Sequence, residues 1–387
     1  MPVLAPVHVE RVLKTVHEPL EPRLEEFQEV FWTLVSGLRR RLVGKELEAF
    51  AYHLAGAPFT WNHVTHRRRN VGNRLLYEPY TNFGHILVQG PPGVGKTRAM
   101  LTLAALIGGA NQKIQFHPEL TPKDLIGFEL PVKGDDGVVE FLFRPGPIET
   151  DVLLADEINR GTTKVQAALL EPMTEGMYTV GREAKFLNNI YLVVATQNTL
   201  EGFREGTYTL PSPQLDRFTK RLFLHKLSAD ELVELPLLEM RVAKEPIVPV
   251  TTIERMLVLR AWLSAAIEVS PLVLQYMARL VLAPSEEDSL RFLAGLRKAM
   301  DPGTSLFNRE NISGRGMNAL FSASRVAAAA SGSRTVLPDH VAHEAFPVLN
   351  HRIPLTREGR SLALQTFGSE EAFFQWFIEG LLKEVRP

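Results

Sequence analysis

Apolar residues in this chain come in two patterns, short unbroken runs in the first 225 positions and helical stripes around and after them. The runs are Ile86-Leu87-Val88, Lys113 to Phe116, Val152-Leu153-Leu154-Ala155, Ile190 to Thr196 and Arg221 to His225. The run Val152 to Ala155 predicts a central parallel strand buried on both faces, Lys113 to Phe116 a short buried strand and Ile190 to Thr196 a further buried one, and Arg221 to His225 completes the sheet. Helical spacing precedes them at Leu24, Phe27, Val30, Phe31, Leu34, Val35 and Leu38, and a second amphipathic helix begins at Val43 to Glu46. Helix-forming sequence follows the first run through Ile107 and recurs from Lys164 to Met173, while Thr121 to Gly127 reads as a capped helical turn. Gly134-Asp135-Asp136-Gly137 sits between apolar segments and Gly181-Arg182 between a polar pair of short segments, and they predict β-hairpins over 128–148 and 176–187. After the capping box Ser228 to Glu231 the pattern is helical: Leu257 to Ile267, a helix opened by Ser270-Pro271, the alanine-rich Asn318 to Ala330, and Phe373 to Leu382. Core packing is the default for the last, docking of a neighbour the alternative.

The proline-rich opening Met1 to Pro22 predicts an extended or loosely packed arm, and Trp61 to Tyr80 a solvated polar insertion. His63 and His66 could share a metal only on a helix, and no third ligand accompanies them. His340, His343 and His351 likewise lack a carboxylate at zinc-site spacing. Arg39-Arg40-Arg41 suits a helix C-terminus, with a basic binding patch as the sharper reading.

At 387 residues the chain exceeds the size at which a single core stops growing, about 250–300 residues, so two or three domains are expected. Lys plus Arg (43) nearly balances Asp plus Glu (44), which removes any global field for nucleic acid or an anionic membrane. Without cysteine there is no disulfide, no thiolate catalysis and no cysteine zinc site. No basic start leads into an apolar core, and no run approaches the ~20 residues needed to span a bilayer, so the expectation is a soluble cytoplasmic protein without membrane insertion.

The chemistry centres on Gly90-Pro91-Pro92-Gly93-Val94-Gly95-Lys96-Thr97, with Arg98 next to it. A glycine-rich turn between a strand and a helix exposes backbone N–H donors at the positive end of the helix dipole, where phosphate is the natural guest. Lys96 would reach the β- and γ-phosphates, and Thr97 would hold Mg2+. Sixty residues on, an apolar run ends in Asp156-Glu157, at the strand end where α/β sheets bind ligands. Asp156 would hold the magnesium and Glu157 would deprotonate the attacking water. Gln197-Asn198 ends the following run, so its amide could hold the same water or simply cap the strand.

Ala155-Asp156-Glu157-Ile158-Asn159-Arg160, Gln166 to Glu171, Ala195 to Asn198, Gly206-Thr207-Tyr208 and Gln214-Leu215-Asp216-Arg217-Phe218 resemble the MoxR family of AAA+ ATPases. Ser313-Gly314-Arg315 and Val348 to Ile353 are similar to that family's helical lid, so the resemblance covers roughly residues 42–355. It implies an α/β P-loop AAA+ three-layer core with a parallel five-stranded sheet, plus an all-α lid. The implied division is an arm and helix over 1–41, a core over 42–226 and a lid with C-terminal helix over 227–387. Within the core, 128–148 is the helix-2 insert and 176–187 the hairpin before sensor 1. Asn198 resembles sensor 1, Arg217 the arginine finger and Arg315 the sensor 2 arginine. The resemblance further implies ATP with Mg2+ as cofactors, a homo-oligomeric and hexameric ring, a remodelled protein client, and a von Willebrand factor A domain partner. Departures are Gly314 for the family's proline, a long segment before it, Pro172 inside a helix, and Phe203-Arg204 before Gly206.

Two rivals are a nucleic-acid motor or GTP-using restriction-type subunit, and a nucleotide switch without turnover. Glu129, Asp135, Asp136 and Glu140 outnumber Lys133 and Arg144 on the first hairpin, which disfavours nucleic acid. Glu157, Asn198 and Arg217 together disfavour a silent switch.

Overall fold

The computed structural model describes residues 20–44, 46–71, 74–133, 139–181, 183–187, 191–198, 208, 210–301, 303–308 and 313–387, side chains of 20–22 and 66–79 excepted. Most of the predicted N-terminal arm, both hairpin tips and Phe203-Arg204 lie outside these residues.

The chain enters through a helix, Leu20–Arg39, and continues through Leu47–Ala55. Helical backbone therefore starts inside the predicted arm, at Leu20. Next comes a departure from expectation. The polar stretch 61–80 is not a solvated loop but a two-stranded antiparallel ribbon, β1 (Val64–Val71) paired with β2 (Arg74–Thr81) from Val64↔Thr81 to Val71↔Arg74. Alternation there is obscured by the run of arginines and by Pro79, and the ribbon is carried by cross-strand pairing. A strand also takes away the helical spacing that a His63/His66 metal pair required.

The central sheet is built from β3 (Ile86–Gly90), β4 (Asn111–Gln115), β7 (Val152–Asp156), β10 (Leu192–Asn198) and β11 (Lys220–Phe223). All five are parallel, in the order β11-β3-β10-β7-β4. Successive residues enter different cores. Ile86, Val88, Val152, Leu154, Leu192, Val194 and Leu222 pack with Phe27, Phe31, Leu103, Trp262 and the helices after 229. Leu87, Leu153, Ala155, Val193 and Ala195 pack with Phe116, Leu125, Ile158, Val165 and Met173. Burial on both faces is the reason these strands read as unbroken apolar runs.

Between the sheet strands lie two antiparallel hairpins, β5 (Gly127–Lys133) with β6 (Val139–Pro145), and β8 (Met177–Val180) with β9 (Glu183–Phe186). The first stands clear of the core: Phe141 is 68 % exposed, Leu142 57 % and Val139 54 %, while Phe143 alone of its aromatic row leans onto the second core. The helix expected from Lys164 to Met173 is two pieces, Thr163–Ala168 and Leu170–Glu175. Pro172 supplies no N–H to the turn before it, which breaks the ladder there.

The first core continues without interruption into the C-terminal half. Helix Gly314–Ala330 is buried along most of its length. Gln28 and Trp32 of the N-terminal helix donate to the Ala330 carbonyl at its end, at 3.3 and 3.2 Å. The last helix, Glu370–Glu384, buries Phe373, Phe374, Phe377, Ile378 and Leu381, so its stripe is core. Among the described residues no helix is long and apolar enough to cross a membrane.

Charged residues are buried where β11 meets helix Pro338–Leu349. Lys220 and Glu344 are both fully buried and 2.6 Å apart, with His53 Nδ1 at 3.5 Å from the carboxylate. Lys220 and His53 hold the Glu344 carboxyl well below its usual range against the opposing effect of burial. Lys220→Met should strand that carboxylate and cost about 3–5 kcal/mol in urea unfolding, and Lys220→Met with Glu344→Leu should recover most of it. Equal stability of the single variant and the parent would contradict this.

His85 is buried as the neutral tautomer, Nδ1 accepting from the Val193 N–H at 3.0 Å and Nε2 donating to the Met173 carbonyl at 2.8 Å. Burial lowers its pKa from 6.5 to about 4, and His53 is lowered likewise. Between these values the unfolded chain binds more protons than the folded one. Stability should thus be complete above pH 6.5 and fall as pH drops toward 4, with a shallower fall in His85→Asn. Denaturation midpoints at pH 7 and pH 5 check this.

Candidate functional site

The phosphate loop connects β3 to the helix Lys96–Ile107. Gly93 and Gly95 have φ of 83° and 90°, and no atom lies within 4 Å of where a Gly93 Cβ would stand. That open, left-handed turn leaves backbone N–H groups accessible to an anion. Lys96 is nearly buried, donating to the Gly90 and Pro91 carbonyls at 2.7 Å each and to Asn198 Oδ1 at 2.9 Å. Burial lowers its pKa while Asp156 and Glu157 oppose the shift. Beside Val94 opens a cleft of about 260 Å³ lined by Leu42, Val43, Leu224 and Leu227. An apolar slot next to a phosphate cradle fits a nucleotide base. Arg98 donates to Glu239 of helix Ala229–Val242 at the rim of this region.

Sheet register brings the rest together at the C-terminal strand ends, pairing Asn198 with Gly90 and Gln115 with Asp156. Thr97 Oγ1 lies 3.3 and 3.2 Å from the two Asp156 oxygens. A hydroxyl beside a carboxylate is a hard oxygen donor set that suits Mg2+, which takes few protein ligands and keeps its waters. Burial would raise the Asp156 pKa, but donors from Thr196 (2.6 Å), Lys113 (2.9 Å) and Thr97 outweigh it, and the net shift is downward. Glu157, with φ of 53°, is the one non-glycine in the left-handed region among the described residues. Its carboxylate accepts from Asn198 Nδ2 (2.8 Å), Gln115 Nε2 (2.9 Å) and Arg160 (2.9 Å), and its N–H donates to Thr196 Oγ1 at 2.9 Å.

Arg217, expected as a finger toward a neighbour's phosphate, and Arg315, expected to clamp phosphate from the lid, both lie away from this chain's own phosphate loop. Arg217 precedes β11, whose first residue Lys220 is in register with Ile86, the first of β3. It therefore sits at the N-terminal edge of the sheet, a strand's length of roughly 15 Å from the loop after Gly90. Its guanidinium donates to the Thr174 hydroxyl, and its Nε has no hydrogen-bond partner among the described residues. The ion pair considered for Arg217 with Asp216 is not formed in that way. Asp216 instead accepts from Arg315 (3.3 Å) and Ser313 (2.7 Å) and is ion-paired with Arg352, whose Nε lies 3.2 Å away. Arg315, expected to clamp phosphate from the lid, is thus held beside Arg217. Burial and then the Arg315 charge lower the Arg217 pKa, and His63 is lowered in the same way by burial, Arg315 and Arg217. This corner is electropositive.

The chain covers 81 % of a Bacillus subtilis relative, the uncharacterized protein YeaC, at 33 % identity over 73 % of its own length. It covers 68 % of the chaperone MoxR1 of Mycobacterium tuberculosis at 34 % identity over 70 % of its own length. The chain belongs to the MoxR family of AAA+ ATPases. Residues 85–220 match the model of the ATPase family associated with various cellular activities, and 308–365 that of the AAA lid domain. The crystal structure of a Cytophaga hutchinsonii protein superposes with a TM-score of 0.71 at 27 % identity, over 95 % of this chain and 97 % of that one. As a MoxR-type, chaperone-like AAA+ protein it is an ATP hydrolase.

Sequence reading missed Lys113, Gln115, Arg160 and Thr196. Thr196 and Asn198 are two apart on one strand and so share a face, a signal that was available; the others needed sheet register. The zinc reading for the histidines finds a carboxylate after all, since Glu344 lies with His53 and His343. Lys220 already neutralises it. His351 is buried against the Phe218 carbonyl.

Thr196→Val removes the hydroxyl shared by Asp156 and the Glu157 backbone. ATP turnover should fall by ~10-fold or more with nucleotide affinity within ~2-fold, because ground-state phosphate contacts are untouched. Steady-state rates with a fluorescent ATP titration measure both, and unchanged turnover would contradict the assignment.

Proposed function

We propose that this MoxR-family protein hydrolyses ATP at interfaces between copies of itself in a closed, hexameric ring, with 42–226 as the catalytic unit and 227–387 as its lid. The observation that carries this is the position of Arg217 and Arg315 at the sheet edge opposite the phosphate loop. Neither reaches its own chain's loop, and a cluster of arginines whose Arg217 Nε has no hydrogen-bond partner among the described residues suits a phosphate brought by another copy. In this reading Lys96 and the backbone of Gly90 to Thr97 hold the β- and γ-phosphates, and Thr97 and Asp156 hold Mg2+. The bound Mg2+ neutralises phosphate charge. Glu157, aimed by Asn198, Gln115 and Arg160, orients and deprotonates water; Arg217 stabilises transition-state charge across the interface, with Arg315 next to it. The exposed apolar hairpin β5–β6 supports a protein client rather than nucleic acid, and a von Willebrand factor A domain partner and a cytoplasmic setting complete the reading.

Lys96→Ala should abolish nucleotide binding, whereas Glu157→Gln should keep binding and lose turnover, since one acts on phosphate and the other on water. Arg217→Ala and Lys96→Ala subunits, each inactive alone, should regain activity on mixing, because some interfaces then hold one intact loop and one intact finger. Confirmed mixed rings without recovery at any ratio would place Arg217 in cis or in a structural role.

A further inference from the structure

We propose that Arg352 is a positioning residue for hydrolysis at the neighbouring copy's nucleotide, acting by fixing the backbone that presents Arg217. This rests on the reading of Arg217 as a finger that works across an interface.

The residues after helix Pro338–Leu349 turn back onto the segment leading into β11. Arg352 NH2 donates to the Asp216 carbonyl (3.3 Å) and the Phe218 carbonyl (2.5 Å), and NH1 to the Thr219 carbonyl (3.0 Å). Its Nε lies 3.2 Å from Asp216 Oδ1. One guanidinium thereby ties three backbone carbonyls and a carboxylate, all within four consecutive residues around Arg217. The remaining carbonyl, that of Arg217, accepts from Asn62 at 2.9 Å, and the Thr219 N–H donates to the His85 carbonyl at 2.7 Å. Every backbone acceptor from 216 to 219 is held from outside its own segment, from elements far apart in the chain. Among the described residues the Arg217 side chain makes one hydrogen bond, to the Thr174 hydroxyl, beside the Asp216 and Glu175 charges. Rigid backbone with a lightly held side chain is what a group that must meet a substrate on another molecule requires.

Arginine is specified at 352. It is buried, and its task needs several coplanar N–H donors, which lysine cannot present. Room for it is made by Gly316, where a Cβ would lie 3.2 Å from Arg352 Cδ. Burial lowers its pKa to about 10, partly offset by Asp216, so it is charged at neutral pH.

A residue that only stapled the lid would, when changed, weaken nucleotide binding or assembly in its own subunit. A positioning residue for a trans-acting finger damages the neighbour's site instead. Arg352→Lys should therefore lower ATP turnover ~10- to 100-fold, with affinity for a fluorescent ATP analogue within ~2-fold and ring size unchanged. Mixed with Lys96→Ala subunits it should regain activity, as Arg217→Ala does; mixed with Arg217→Ala subunits it should regain none. Unchanged turnover in Arg352→Lys overturns the inference. So does failure to recover with Lys96→Ala when the Arg217→Ala control recovers, and in that case the finger reading survives. Failure of the control itself overturns both. If Arg352→Lys does not yield folded protein, Asp216→Asn, which keeps the volume and removes the charge, goes through the same mixing with the same expected and overturning results.

Discussion

A sheet buried on both faces has room for polar side chains only at its two ends. β3, β7 and β10 obey this, with apolar residues through their middles and Lys96, Asp156, Glu157 and Asn198 gathered where they finish. Because all five strands are parallel, their finishing ends lie on one edge and their starting ends on the other. The chain leads into β11 at the starting edge, and that is where Asp216 and Arg217 sit. The separation of acids from arginines is thus a consequence of strand direction, which sends the phosphate loop and acid pair to one edge and Asp216 and Arg217 to the other.

Much of this was legible in the residue pattern. Apolar runs marked β3, β7, β10 and β11, whereas β4, expected as a buried strand from Lys113 to Phe116, is an edge strand with Ile114 alone of its residues buried; the glycine-rich turn and Asp156-Glu157 are placed side by side as their strand-end positions implied, because local backbone geometry is encoded within a few residues. Legibility failed where a side chain's role depends on a distant partner. Lys113 and Gln115 are ordinary polar residues of an edge strand until β4 is laid beside β7 in register. Arg315 could be matched to a motif, but its pairing with Asp216 rests on how the helices after 229 pack against the sheet, and local spacing says nothing about that. The ribbon β1–β2 was misread as loop for a related reason, since its charged and polar residues show no clean alternation and declare a strand only when paired with each other.

The junction between β11 and the helix after Leu337 shows the same long-range dependence in energetic form. Lys220 with Glu344, Arg221 with Asn350, and Arg352 with Asp216 are buried polar pairs in which each member lies more than a hundred residues from the other. Buried groups of this kind stabilise only when both members are in place, whereas apolar contacts tolerate a shift of an ångström or two. Polar pairing therefore sets the orientation of the C-terminal helices on the sheet, and apolar burial supplies the bulk of the adhesion.

The left-handed backbone at Glu157 has an implication for how such a site persists. Glutamate is a poor occupant of that region, which Asn, Asp and Gly enter more readily, so the position carries strain that the Thr196 and Asn198 hydrogen bonds hold in place. Relaxing the backbone and keeping the long acid are opposed demands. Replacing Glu157 with glycine or a shorter residue would relax the backbone and give up the carboxylate that Asn198, Gln115 and Arg160 hold, so backbone stability and the built acid site make opposed demands on this one position.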